Sequence, residues 1–147
     1  MADANLQARN TDYRNAVAAI FATRGFISDL GVTFVDCGPG WCTTRLELQP
    51  RHFQHTGVVH AGVLATIADH SAGGSALSLL EPGQVPVTVE FKVHLLRPAR
   101  GTHLECRGEV LKPGGRFIIT ESTVYAVDGN TRNAVAKLIG TMAPVAA

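Results

Sequence analysis

With 147 residues, 46% of them hydrophobic and 17% charged, the chain is long enough for one domain with a real core and too short for two. That balance excludes a disordered chain. A formal net charge of +1, with no dense Lys/Arg cluster, excludes a chain drawn to nucleic acid or an anionic membrane by charge. Cys37, Cys42 and Cys106 are odd in number and form no CxxC, so the expectation is a reducing compartment and no disulfide framework. The start Met1-Ala2-Asp3-Ala4-Asn5 has no basic region and no apolar run, and does not read as a signal peptide. Residues 57–80 resemble a membrane span in composition but carry His60, Asp69 and His70. An Asp at mid-bilayer costs roughly 2.5–3.5 kcal/mol, so a helix buried inside a protein is expected instead.

In chain order, Tyr13, Val17, Ile20 and Phe21 recur at helical spacing, which predicts an N-terminal helix over about 10–24. Residues 31–36 read as a strand, Gly38-Pro39-Gly40 as a turn and residues 41–48 as the hairpin partner. Residues 49–56 are irregular and polar. From about 61 to 80 the chain is rich in Ala and Leu and apolar on nearly all sides, which predicts a central helix covered from several directions. Gly73-Gly74 within it predicts close approach of another backbone, because each Gly costs a helix roughly 1 kcal/mol relative to Ala. Val85, Val87, Val89, Phe91, Val93 and Leu95 alternate strictly with polar residues. Leu104 to Val110, residues 117–127, and Ala134 to Met142 give three more strands, separated by Pro113-Gly114-Gly115 and Asp128-Gly129-Asn130. The string is helix, two strands, long helix, four strands. It predicts a single α+β domain over 1–147, with its core at about 30–143 and a curved antiparallel sheet wrapped round the helix.

Asp69 is the first candidate for chemistry. No Lys or Arg occurs from Val58 to Leu80, so a carboxylate buried there has no local cation. A structural role would bond it to Thr66, Ser71 or Ser75. A functional carboxylate is the favoured reading, since an unpaired buried Asp is expensive unless it is used. His60-Ala61-Gly62 is the second candidate. It lies at the expected N-terminus of the same helix, where backbone amides lack internal acceptors and can hold an oxyanion. Taken alone, the small residues there read more simply as a tight turn into the helix. Asp69 is 69 − 61 = 8 residues beyond Ala61. At ~1.5 Å per residue that is about 12 Å, too far for both to reach one carbonyl carbon. If both serve one site, two chains must share it across a two-fold axis.

Gln54-His55-Thr56-Gly57-Val58-Val59-His60-Ala61-Gly62 followed by Asp69 resembles the signature of the hotdog-fold thioesterases of the PaaI type, the phenylacetate-degradation group. That signature is Asn-x-x-Gly-x-x-His-Gly-Gly with an Asp seven residues after the second Gly, the same interval as from Gly62 to Asp69. The resemblance extends over about residues 30–143, including the strand around Phe91 and the ending Leu96-Arg97-Pro98-Ala99. It implies Asp69 as nucleophile or as the base that activates water. It implies the backbone N–H of Ala61, helped by Gly62, as the group that polarises the thioester carbonyl, with His60 beside it. Gln54 stands where the family has Asn, and Thr88 would match a Ser or Thr that orients the water. The family's sites lie between subunits of dimers or tetramers and use no metal. Two departures bear on efficiency more than on mechanism: Ala61 in place of Gly keeps the amide but narrows the approach with its methyl group, and Gln54 in place of Asn is one methylene longer, so its amide is not expected to reach the same point. Strict alternation, moreover, turns Thr88 away from the helix if Val87 and Val89 cover it.

His52, His55 and His60 lack a Cys or carboxylate at metal spacing and read as solvated loop histidines. His70 diverges from Asp69 by ~100°, so the two form no dyad. Arg97, Lys112 and Arg116 are candidates to meet the phosphates of coenzyme A, although ordinary surface charge explains them more simply. The expected protein is thus a cytoplasmic acyl-CoA thioesterase, a homodimer or homotetramer, acting on an aryl or medium-chain acyl group lined by Phe53 and Phe91. It needs no cofactor beyond the coenzyme A of its substrate, no nucleic acid and no membrane. The rivals are a dehydratase or hydratase of acyl thioesters on the same fold, and a non-catalytic acyl-CoA-binding module.

Overall fold

The structure, a computed structural model, describes residues 5–147. Residues 1–4 lie outside it, and with them most of the segment considered above as a signal peptide. Two helices come first, α1 (Tyr13–Ala22) and the short α2 (Phe26–Leu30). A hairpin of β1 (Val32–Gly38) and β2 (Trp41–Glu47) follows. One 3-10 turn (Pro50–His52) leads into α3 (Ala61–Leu77). The rest is β3 (Gln84–Leu95), β4 (His103–Lys112), β5 (Ile118–Asp128) and β6 (Thr131–Ala146). All pairings are antiparallel, in the order β1-β2-β4-β5-β6-β3, so β3 is an edge strand.

The alternation of β2, β4 and β5 has the expected consequence. Cys42, Thr44 and Leu46, then Leu104, Cys106 and Val110, then Thr120, Ser122 and Val124 are buried on the face toward α3. This is the sheet wrapped round a long helix expected of a hotdog fold. No helix among the described residues is long and apolar enough to cross a membrane.

Hydroxyls on the closed side of α3 are all turned to structure. Ser71 Oγ donates to Ile67 O at 2.6 Å and meets Thr44 Oγ1 at 2.8 Å, while Ser122 Oγ on β5 donates to Ala68 O at 2.8 Å. The close backbone approach expected at Gly73-Gly74 is found elsewhere. A Cβ on Gly108 of β4 would sit 2.4 Å from Ser71 O, so the helix rests on the bare backbone of β4. A Cβ on Gly74 would meet side chains rather than backbone, Cys42 at 2.9 Å from Sγ and Phe21 at 3.5 Å, and one on Gly73 would meet nothing within 4 Å.

Three further readings change. α2 was not anticipated; its five residues are bracketed by Gly25 at φ +154° and Gly31 at φ +97°. His52 is not a solvated loop histidine. It is fully buried, its Nδ1 accepting from Gln49 N–H at 3.0 Å and its Nε2 bonded to Leu30 O at 2.8 Å. The strict alternation of β3 is broken by a bulge at Val89, because Thr88 pairs with Met142 whereas Glu90 pairs with the adjacent Thr141. An extra residue shifts the period-2 pattern by one. Thr88, Phe91, Val93 and Leu95 therefore pair with the inward residues Met142, Gly140, Leu138 and Ala136, while Val85 and Val87 fall on the other face.

Candidate active site

The bulge decides where Thr88 points. It stands beside α3, and its Oγ1 donates to Asp69 Oδ1 at 2.8 Å. Asp69 is half-buried rather than fully enclosed. Among the described residues it takes part in no ion pair. The hydroxyls nearest in sequence are spent on helix carbonyls: Thr66 on Gly62 O at 2.7 Å, Ser71 on Ile67 O and Ser75 on Ala72 O at 2.7 Å. One carboxylate oxygen is thus fixed by Thr88, and no described residue holds the other.

Among the described residues, sheet and α1 cover α3 on every side but one. The incompletely covered positions Gly62, Thr66, Asp69 and Gly73 recur at helical spacing and form one stripe. Beside that stripe runs the edge strand β3, with Val87, Val89 and Phe91 exposed by 43%, 54% and 41%. Asp69 opens on the uncovered side, and the all-round apolar composition of α3 hides this in the sequence.

At the helix N-terminus His60 is the cap, its Nδ1 accepting from Gly62 N–H at 2.9 Å. A neutral His60 therefore carries its proton on Nε2. The two amides expected to act together are separated by this cap. Gly62 N–H is engaged, whereas Ala61 N–H meets no acceptor among the described residues. It is the orphan donor that a helix start leaves, at the positive end of the helix dipole.

Gln54 lies in the turn before the helix, where its Nε2 donates to Thr56 Oγ1 at 2.7 Å and its backbone closes a loop with Val58 and Gly57. It makes no hydrogen bond to Asp69 in the same chain. Arg97 donates to Ala134 O at the start of β6, whereas Lys112 pairs in register with Ile119, which faces Thr141 near the end of β6. Seven strand residues at ~3.3 Å separate those positions by about 23 Å. Arg116 sits in the β4–β5 turn with its guanidinium 5.4 Å from the Phe117 ring. One chain therefore keeps Arg97 apart from Lys112 and Arg116. His70 turns toward α1, edge-on to Phe21 at 4.6 Å and with Nε2 3.3 Å from Ile20 O; burial pushes its pKa down from the ordinary 6.5. No group of three or more His, Cys, Asp or Glu among the described residues is placed to hold a metal ion.

The chain matches the family profile described as the thioesterase superfamily over residues 56–132. It belongs to that family. The protein is a thioester hydrolase on a hotdog fold, and the matched stretch contains His60, Ala61, Asp69 and Thr88 but stops short of Gln54. A thioesterase family protein from Silicibacter pomeroyi is 31% identical, with a TM-score of 0.88 over 92% of this chain and 99% of that one. Acyl-coenzyme A thioesterase 13 of Homo sapiens is 28% identical over 128 residues, 86% of each chain. A Bacillus halodurans protein whose crystal structure holds CoA is 28% identical, with a TM-score of 0.66 over 70% of this chain and 66% of that one.

Sequence reasoning missed two features of this thioesterase. The His60 cap was legible in principle, since a side-chain acceptor just before a helix is a common N-cap. The position of α2 beside Phe53 and Val63 was not, because a five-residue helix leaves no periodic signal.

Proposed function

We propose that the protein is an acyl-CoA thioesterase of the PaaI type, with Asp69 of one subunit and the Ala61 N–H of another completing each site. The observation that carries this reading is the Asp69 carboxylate, held at one oxygen by Thr88 and set on the side of α3 that, among the described residues, neither the sheet nor α1 covers. The orphan amide on the same helix is about 12 Å away, out of reach of the same carbonyl. A second copy laid antiparallel along the α3 stripe and the apolar edge of β3 supplies the missing half. It also covers Val89 and Phe91, whose exposure on an edge strand is otherwise a liability. The same pairing brings Arg97 of one subunit toward Lys112 and Arg116 of the other, where coenzyme A phosphates would leave the site.

In this arrangement the Ala61 amide donates to the thioester oxygen. The free oxygen of Asp69 takes a proton from water as the water oxygen attacks the carbonyl carbon, and the thiolate of coenzyme A leaves. Direct attack by the carboxylate, through an anhydride that water then opens, uses the same atoms. His60 shapes the amide end and Gln54 approaches from the loop before it. Asp69 and the amide carry the reaction without a resident cofactor. Three free, buried cysteines support a cytoplasmic enzyme. A hydratase would need a basic imidazole, and His60 Nδ1 is already occupied by Gly62 N–H, which ranks that reading lower.

The test is thiol release from a panel of aryl- and alkanoyl-CoAs by wild type and Asp69→Asn. Turnover that falls by about 10² or more in the variant, with unchanged unfolding, is the expected result. Acyl-CoA binding without turnover by wild type would instead identify a binding module.

A further inference from the structure

Beside the N-terminus of α3 lies a cleft of about 350 Å³, in the size range of small-molecule sites. Four of its walls are apolar: Phe26 and Leu30 from α2, Phe53 from the loop before α3, and Val63 from α3 itself. Gly62 and Thr66 of the open stripe form its inner end, one residue from the Ala61 amide. Phe26 is 69% exposed, the highest value among the large apolar side chains of the described residues.

α2 is placed there by specific bonds. Leu30 O accepts from Arg51 Nη2 at 3.2 Å and from buried His52 Nε2 at 2.8 Å, which ties the end of α2 to the segment leading into α3. At its other end Gly25 N–H donates to Ser28 Oγ at 2.9 Å and closes the first turn. A thioester whose carbonyl rests on Ala61 N–H has two arms. The pantetheine arm carries amides and phosphates, which need several polar partners, whereas of the polar side chains lining the cleft Arg51 is bonded to Leu30 O, Thr66 to Gly62 O, and His60 through Nδ1 to Gly62 N–H. The acyl arm needs only apolar contact.

We infer that α2 is the acyl-selecting wall of the enzyme, and that Phe26, with Leu30 and Phe53, sets which acyl groups are hydrolysed. This rests on the hydrolysis proposed above and deepens it. The cleft holds an aryl or medium-chain acyl group, and Phe26 touches the part of it farthest from the carbonyl. A two-carbon acyl group never reaches Phe26.

The experiment compares kcat/KM for acetyl-CoA, octanoyl-CoA and phenylacetyl-CoA in wild type, Phe26→Ala and Val35→Ala. Val35 is an equally apolar exposed residue, 56% exposed on the opposite edge strand β1, and serves as a control for lost surface. The preference of wild type for its faster longer substrate over acetyl-CoA should fall about tenfold or more in Phe26→Ala, with acetyl-CoA unchanged within about twofold and Val35→Ala like wild type. A preference that stays constant, or an equal loss on all three substrates, overturns the assignment of α2. Asp69→Asn run in parallel separates the two levels. Loss of turnover in that variant with an unmoved preference in Phe26→Ala leaves the hydrolytic site standing and removes only the wall. Full turnover in Asp69→Asn removes both.

Discussion

The two sides of α3 are built by opposite rules. Against β4 and β5 every hydroxyl has a partner within the protein, and the helix lies so close that a single Cβ on Gly108 would strike Ser71 O. Along the stripe from Gly62 to Gly73 the helix is incompletely covered, a Cβ on Gly73 would meet nothing within 4 Å, and the one charged group, Asp69, keeps a single described partner. A close-packed, fully bonded face holds a helix in place. An open face with a half-satisfied carboxylate leaves atoms free to act on something else. Structure and chemistry thus divide one helix lengthwise, and mutations on the two sides should separate stability from turnover.

The largest separation is expected at the orphan amide. Ala61→Pro removes only that N–H, since proline fits the first position of a helix and His60 already has the extended backbone (φ −63°, ψ 138°) that proline demands of its predecessor. Loss of one oxyanion donor should lower kcat by about 10²–10³, with an unchanged urea midpoint. Thr88→Ala, which frees the fixed oxygen of Asp69, should lower kcat about tenfold, since bonds to charged groups contribute about 1.5–3 kcal/mol. Thr88→Ser should recover most of the loss, as measured by the same thiol-release assay. On the closed side the effect reverses. Gly108→Ala should cost about 1–3 kcal/mol in urea unfolding while kcat per folded molecule is kept.

The smallest effect concerns His70, which shares α3 with Asp69 but serves packing. Burial holds its folded pKa below the ordinary 6.5, so the unfolded chain binds the proton more readily. The stability that follows is complete above 6.5 and drains away as pH drops through 6.5 toward the folded value. Urea midpoints at about pH 7.5 and 5.5 should therefore differ less in His70→Gln than in wild type.

Much of this division was legible in the sequence, and what was not has particular causes. The order of α1, α3 and the six strands, and the presence of Asp69 in the helix that starts at His60-Ala61-Gly62, are legible from periodicity and spacing, because both are local. Which face of α3 stays open is not local. The helix is apolar all round, so its composition suggests complete burial of Asp69, and only the position of β3 at the sheet edge shows otherwise. The direction of Thr88 depends on one inserted residue, Val89, and a bulge leaves no mark in an alternation of valines. His52 looks solvated because its neighbours are polar, yet its partner Leu30 O lies 22 residues away.

The central claim is that each active site is shared between two chains, and mixing two dead variants tests it most directly. Asp69→Asn and Ala61→Pro are unfolded together and refolded as a mixture, and thiol release is measured on the best acyl-CoA. A shared site predicts recovery to about one quarter of wild-type activity, since half of randomly paired dimers are mixed and each mixed dimer holds one intact site of two. A mixture as inactive as either variant alone, with mixed dimers demonstrably formed, would contradict it, because it would mean that Asp69 and Ala61 must come from the same chain.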